Sequence, residues 1–135
     1  MVGMAAGGGY IMTKPILVVD DSATIRMGLE ELIRRIGHDV RTAGSAEEAL
    51  SLVDGGLSAK LVLTDYNMPG ANGVEFIKQL RTRAAYRFTP IIVVTTESQA
   101  DLRGNAKSAG ATGWLVKPVK PAQLTDVIQK VLPNG

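Results

Sequence analysis

The chain is predicted to fold as a doubly wound α/β domain, five parallel strands with helices on both faces of the sheet. Three observations predict it. Short apolar runs alternate with amphipathic helical segments at a period of roughly 20 to 25 residues. Ile16–Val19 is apolar at consecutive positions, as in a strand covered on both faces, and does not alternate as a half-exposed strand does. Four of the runs stop abruptly on polar residues: Ile16–Val19 on Asp20-Asp21, Leu61–Thr64 on Asp65, residues 91–94 on Thr95-Thr96, and Gly113–Val116 on Lys117-Pro118. Right-handed crossovers make the sheet parallel, so these four ends converge on one edge.

Residues 1–13 include Gly7-Gly8-Gly9 and no apolar period, so a flexible tail is expected there, followed by one domain over 14–135. Met12-Thr13-Lys14-Pro15 would make a plausible start, so residues 1–11 read either as an upstream start or as a remnant of foreign sequence. Ile16–Val19 is the first strand. From Ser22, apolar residues at Ile25, Leu29, Leu32, Ile33 and Ile36 recur at helical spacing; Ser22 can cap the start and Gly37 can take the left-handed stop. Residues 38–42 read as a second strand, less apolar and so nearer an edge. Ser45-Ala46-Glu47-Glu48 fits a capping box leading into Ala49, Leu50 and Val53, with Asp54-Gly55-Gly56 as the stop. Leu61–Thr64 is the third strand. After a turn over 67–73, a third helix carries Val74, Ile77 and Leu80. Residues 89–95 form the fourth strand. Residues 98–109 are expected to be helical with Ser98 as cap, but Gly104 and small alanines give a weak apolar face, and such a helix shifts easily. Gly113–Val116 is the fifth strand, and Pro121 opens a last helix bearing Leu124, Val127, Ile128 and Val131.

Composition narrows the function. The 135 residues suit one domain that can bury most of its apolar surface. A net charge of +2, from 15 basic and 13 acidic residues interspersed, gives no reason to expect nucleic acid or a membrane surface as partner. With no cysteine, disulfides, zinc–thiolate sites and thiol nucleophiles are excluded. No stretch approaches the run of about 18 apolar residues that spans a membrane, and residues 1–10 lack the basic start and apolar stretch of a secretory signal. A soluble, cytoplasmic protein is expected. Only residues 132–135 follow the last helix, so no output domain is expected, and a monomer is the default.

The chemistry is concentrated at the strand ends. Asp20 and Asp21 are adjacent, and their repulsion raises at least one pKa unless a cation lies between them and another oxygen ligand. With Asp65 they make three carboxylates without His or Cys, a hard-oxygen set suited to Mg²⁺ or Mn²⁺ rather than zinc. The plainer alternative is that Asp21 helps Ser22 cap the first helix while Asp20 is solvated. Asp65 is the candidate reactive residue: a carboxylate can attack a phosphoryl group and hold it as an acyl phosphate if the charge building on the phosphoryl oxygens is neutralised. Lys117 could neutralise it from the fifth strand end, and the Thr95 hydroxyl could donate to it from the fourth. Taken singly, Lys117 is an ordinary surface lysine and Thr95 an ordinary strand residue; their joint placement makes a phosphoryl site. Gly70 and Gly73 look like turn residues, and neither GxGxxG nor a Walker A sequence is present, so ATP binding is not indicated. His38, the only histidine, has Asp39 as its one acidic neighbour and reads as a surface residue.

Over about residues 14–132 this pattern resembles the receiver domain of bacterial two-component response regulators, in particular the stand-alone chemotaxis regulators of CheY-like type. The motifs are Val18-Val19-Asp20-Asp21-Ser22, Asp65-Tyr66-Asn67-Met68-Pro69, Thr95 with Thr96-Glu97, and Lys117-Pro118. The resemblance implies a flavodoxin-like sheet of order 2-1-3-4-5, which places Asp21 beside Asp65. It implies that Asp65 accepts a phosphoryl group from the phosphohistidine of a histidine kinase. Asp21, Asp65 and the backbone carbonyl of Asn67 would hold Mg²⁺, with Asp20 acting through a water. Lys117 would pair with the phosphoryl group, ahead of a cis Lys117-Pro118 bond, and Asn67 and Glu97 would tune self-hydrolysis. In such receivers Thr95 would swing to the phosphoryl group and an aromatic on the fifth strand turn inward. That changes the surface of helix 4, strand 5 and helix 5, where a flagellar motor switch, a kinase or a phosphotransfer protein would bind. Trp114 holds that aromatic position, where tyrosine is usual; an indole needs more room and another partner for its N–H. Ala71-Asn72-Gly73 replaces the family's Met-x-Gly turn, a change of turn packing.

Two other classes fit less well. A haloacid dehalogenase-like phosphohydrolase needs a second Asp two residues after the nucleophile, where Asn67 stands, and usually a cap domain. A flavodoxin-like FMN protein needs a Ser/Thr-rich phosphate loop after the first strand, where two carboxylates would repel the phosphate. The leading expectation is therefore a phosphorylatable switch, with no enzymatic activity beyond its own phosphorylation and dephosphorylation.

Overall fold

The computed structural model describes residues 14–68, 70, 72–96 and 100–132. The expected tail over 1–13, Glu97 and the Ser98 cap lie outside the described residues. The described elements run β1 (Ile16–Val19), α1 (Ala23–Ile36), β2 (Val40–Ala43), α2 (Ala46–Asp54), β3 (Leu61–Thr64), α3 (Gly73–Arg81), β4 (Ile91–Thr95), α4 (Ala100–Ala109), β5 (Gly113–Val116) and α5 (Pro121–Val131), with one 3-10 turn at Ala84–Tyr86. The strands pair in parallel in the order β2-β1-β3-β4-β5, so β2 is an edge, as its weaker apolar character predicts.

Because successive strand residues point to opposite faces, each four-residue run feeds two cores. Leu17, Val19, Val62 and Val93 pack with Ala49, Val53, Phe76, Ile77, Leu80 and Ala106, which places α2, α3 and α4 on one face. Ile16, Val18, Leu61, Leu63, Ile92 and Val94 pack with Leu29, Ile33, Leu124 and Ile128 of α1 and α5 on the other. Full burial of each such aliphatic side chain is worth about 1.5–3 kcal/mol, so removing either helical layer exposes strand residues that have no other cover.

The helix ends follow local chemistry. The Ser22 hydroxyl accepts from the Ile25 N–H at 3.3 Å, and Gly37 closes α1 at φ 101°. Ser45 accepts from the Glu48 N–H at 3.0 Å, while the Glu48 carboxylate reaches one residue further back than a capping box requires, to the Gly44 N–H at 2.8 Å. Asn72, expected within a turn, caps α3 by accepting from the Glu75 N–H at 2.9 Å.

Several boundaries differ from the sequence expectations. β2 spans Val40–Ala43 rather than 38–42, because the His38 N–H completes the end of α1 by donating to the Ile33 carbonyl at 3.2 Å. His38 is half-buried, not a surface residue; burial first, and Lys60 second, hold its pKa below the ordinary histidine value, against an opposing pull from Asp39. β4 begins at Ile91 rather than at residue 89: Pro90 has no N–H to give to a ladder, and the Thr89 carbonyl is taken by the Arg81 guanidinium at 2.6 Å. The 3-10 turn had no sequence signal. It buries Tyr86, whose hydroxyl donates to the Leu57 carbonyl at 2.6 Å and accepts from the Ala59 N–H at 2.9 Å.

Candidate functional site

The site is assembled by strand register. Val19 of β1 lies opposite Thr64 of β3, so Asp20 and Asp65, the next residue of each chain segment, leave the sheet side by side. The Asp65 N–H donates to the Val19 carbonyl at 2.9 Å. At the other side Thr95 lies opposite Val116, and the Lys117 N–H donates to the Thr95 carbonyl at 2.9 Å, which turns the lysine side chain back over the strand ends. The Lys117-Pro118 bond is cis.

The side chains meet over this edge. Lys117 Nζ donates to Asp20 Oδ2 at 2.7 Å and to Asp65 Oδ2 at 3.2 Å. Asp20 is 2 % exposed and Asp65 8 %. Their remaining oxygens are also engaged: Asp20 Oδ1 accepts from the Ser22 N–H at 2.9 Å, and Asp65 Oδ1 from the Tyr66 N–H at 2.7 Å. Asp21 is exposed, yet offers a carboxylate oxygen within 4.8 Å of oxygens of both Asp20 and Asp65. Burial lowers the Lys117 pKa, but hydrogen bonding to Asp20 and the charge of both carboxylates outweigh it, and the net shift is upward. The lysine is an ammonium ion at neutral pH.

This arrangement removes the plainer alternative for the first aspartate pair. Asp20, not Asp21, accepts the Ser22 N–H, and it is buried rather than solvated. The donor set, three carboxylates in reach of one point with no imidazole or thiolate, fits a hard divalent cation. Asn67 is exposed on the turn after Asp65. Thr95 is buried at the last position of β4. Trp114 is half-buried on β5, opposite Val93; its ring lies 5.9 Å from that of Tyr66 at 45°, with the Arg103 guanidinium 5.8 Å from its centroid.

Sequence reasoning missed two supports. Arg26, one helical turn past the aspartate pair, donates from Nη1 to the Asp20 carbonyl at 2.6 Å and crosses Gly44, where a Cβ would lie 3.2 Å from that nitrogen. A basic residue one turn into the helix after an acidic strand end is the signal that could have found it. Gly73 is more than a turn residue: a Cβ there would lie 2.5 Å from the Asp65 carbonyl oxygen and 2.8 Å from Tyr66 Cα, so α3 can press its first turn against the Asp65-Tyr66 segment only through glycine.

Fold and site together define a flavodoxin-like α/β domain whose crevice, at the switch between β1 and β3, is acidic rather than glycine-rich. Residues 16–129 match the response regulator receiver domain family. The chain is 39 % identical over 121 residues to a chemotaxis protein CheY homologue of Campylobacter jejuni, covering 89 % of this chain and 93 % of that protein. It is 36 % identical over 118 residues to the chemotaxis protein CheY1 of Helicobacter pylori, covering 87 % and 95 %. Among solved structures, the chemotaxis protein CheY4 of Vibrio cholerae superimposes with a TM-score of 0.85 at 38 % identity, over 90 % of this chain and 100 % of that one. The chain belongs to the response regulator receiver domain family and is a receiver of the CheY type. A haloacid dehalogenase-like reading is not favoured by these relationships.

Proposed function

We propose that the chain is a phosphorylatable switch in which Asp65 accepts a phosphoryl group from the phosphohistidine of a histidine kinase. One observation carries the reading: a single ammonium, Lys117, bridges two buried carboxylates at the ends of β1 and β3. In the transfer, an Asp65 carboxylate oxygen forms a bond to phosphorus while the phosphorus–nitrogen bond breaks, its electron pair passing to the imidazole. Lys117 neutralises charge on the phosphoryl oxygens, and the Thr95 hydroxyl donates to one of them. Asp21 and Asp65, with the Asn67 backbone carbonyl, would hold Mg²⁺, or Mn²⁺ in its place, and Asp20 would act on it through a water. When bound, the cation supplies the rest of the charge neutralisation. Asn67 and Glu97 tune hydrolysis of the acyl phosphate.

The output surface is that of α4, β5 and α5, which carries Trp114, and its target is a flagellar motor switch, a kinase or a phosphotransfer protein. The chemotaxis names of the relatives support a chemotaxis setting; the chain is read as a cytoplasmic monomer. Incubation with a histidine kinase carrying labelled phosphate tests the reading: label moves to the wild-type chain and not to Asp65→Asn. Label that stays on the kinase with both, or moves equally to both, rejects it.

A further inference from the structure

The proposed transfer makes no use of the Tyr66 side chain, yet its position is over-determined. It follows the reactive residue directly, and its N–H binds Asp65 Oδ1 at 2.7 Å, a charge-assisted bond that changes when that carboxylate becomes an acyl phosphate. Its carbonyl accepts from the Gly73 N–H at 2.7 Å, and its Cα lies against the bare glycine. The Tyr66 backbone is therefore tied both to the Asp65 carboxylate and to the start of α3. The Tyr66 ring is half-buried and leans on the Trp114 indole, 5.9 Å away, which in turn lies under the Arg103 guanidinium of α4. The register explains the reach: Thr64, Val93 and Trp114 form one row across β3, β4 and β5, and Tyr66 stands two residues beyond the first of them. The ring also lines an open cleft of about 440 Å³ between α3 and α4, beside Val74, Lys78, Asn105 and Ser108, so it has room to move.

We propose that Tyr66 is a positioning residue that transmits the state of Asp65 to Trp114, and through it to Arg103 on α4. The inference rests on the phosphoacceptor reading and adds the route by which the output face senses the site. It predicts that the aromatic ring is required and the hydroxyl is not. The tilted ring contact is expected to bias the indole between positions by about five-fold, so loss of the ring reduces the signal by a similar factor.

Trp114 is the only tryptophan, so its emission reports this route directly. Each protein is saturated with beryllofluoride and Mg²⁺, with occupancy read from the bound fluorine signal by NMR. Wild type and Tyr66→Phe are expected to change emission equally, and Tyr66→Ala about five-fold less at equal occupancy. Tyr66→Leu, which keeps bulk without a ring, gives the same loss if the alanine protein folds poorly. The inference is overturned if Tyr66→Ala keeps the wild-type response, if Tyr66→Phe loses it, or if Thr95→Ala abolishes a response that Tyr66→Ala retains. It also falls if both ring-less variants fail to bind while wild type binds, since the ring would then serve the acid site itself. Wild type that binds no beryllofluoride rejects the phosphoacceptor reading, and this inference with it.

Discussion

Lys117 Nζ lies 2.7 Å from Asp20 Oδ2, although 97 positions separate the two residues in the chain. The contact joins the last strand end to the first, and the same ammonium reaches Asp65 from the third at 3.2 Å. Two buried carboxylates thus share one cation.

Replacing Lys117 with methionine leaves Asp20 and Asp65 facing each other without a counter-charge. Stability should fall by about 3 kcal/mol, because removing one member of a buried pair strands the rest. The loss is read as a lower urea midpoint in EDTA, and millimolar Mg²⁺ should recover part of it by binding only the folded state. An unchanged midpoint, or one indifferent to Mg²⁺, contradicts the prediction.

The raised Lys117 pKa sets the sign of an alkaline effect. Stability from the charged lysine is complete below the ordinary lysine pKa of about 10.4 and is lost as pH rises through the higher folded value. The difference in unfolding free energy between wild type and Lys117→Met should therefore shrink above about pH 10. A difference that stays constant or grows there contradicts it.

His38 gives the opposite sign. Its folded pKa is lowered, so the neutral imidazole stabilises the fold above the unfolded value of about 6.5, and that contribution is lost as pH falls below it. As the only histidine, it yields a single imidazole titration by proton NMR, whose midpoint should lie below that of the urea-unfolded chain.

Two glycines with different surroundings should respond oppositely to alanine. Gly73→Ala drives a methyl into the Asp65 carbonyl and should cost about 2 kcal/mol. Gly28, in the middle of α1 with nothing within 4 Å of a built Cβ, should gain about 0.5–1 kcal/mol on the same change. Urea unfolding of both variants decides; a stabilised Gly73→Ala protein would remove the close-approach argument.

The strand ends were legible because short apolar runs alternate with amphipathic helical segments, and Asp20, Asp65, Thr95 and Lys117 fall where those runs stop. Which of the two adjacent aspartates turns inward was not legible: the pleat ends at Val19, and the direction of Asp20 is set by the Ser22 N–H and by Lys117. Arg81 was equally hidden. From the last turn of α3 its guanidinium binds the carbonyls of Tyr86, Thr89 and Gly110, and only tertiary structure brings those three together. The closeness of Tyr66 to Trp114 likewise depends on register across three strands.

Intact-mass measurement after incubation with acetyl phosphate decides whether Asp65 takes a phosphoryl group, as proposed. Wild type should gain one hydroxylamine-sensitive phosphoryl group with Mg²⁺ and none in EDTA, and Asp65→Asn should gain none under either condition. No adduct on wild type, or an equal adduct on Asp65→Asn, would contradict the account.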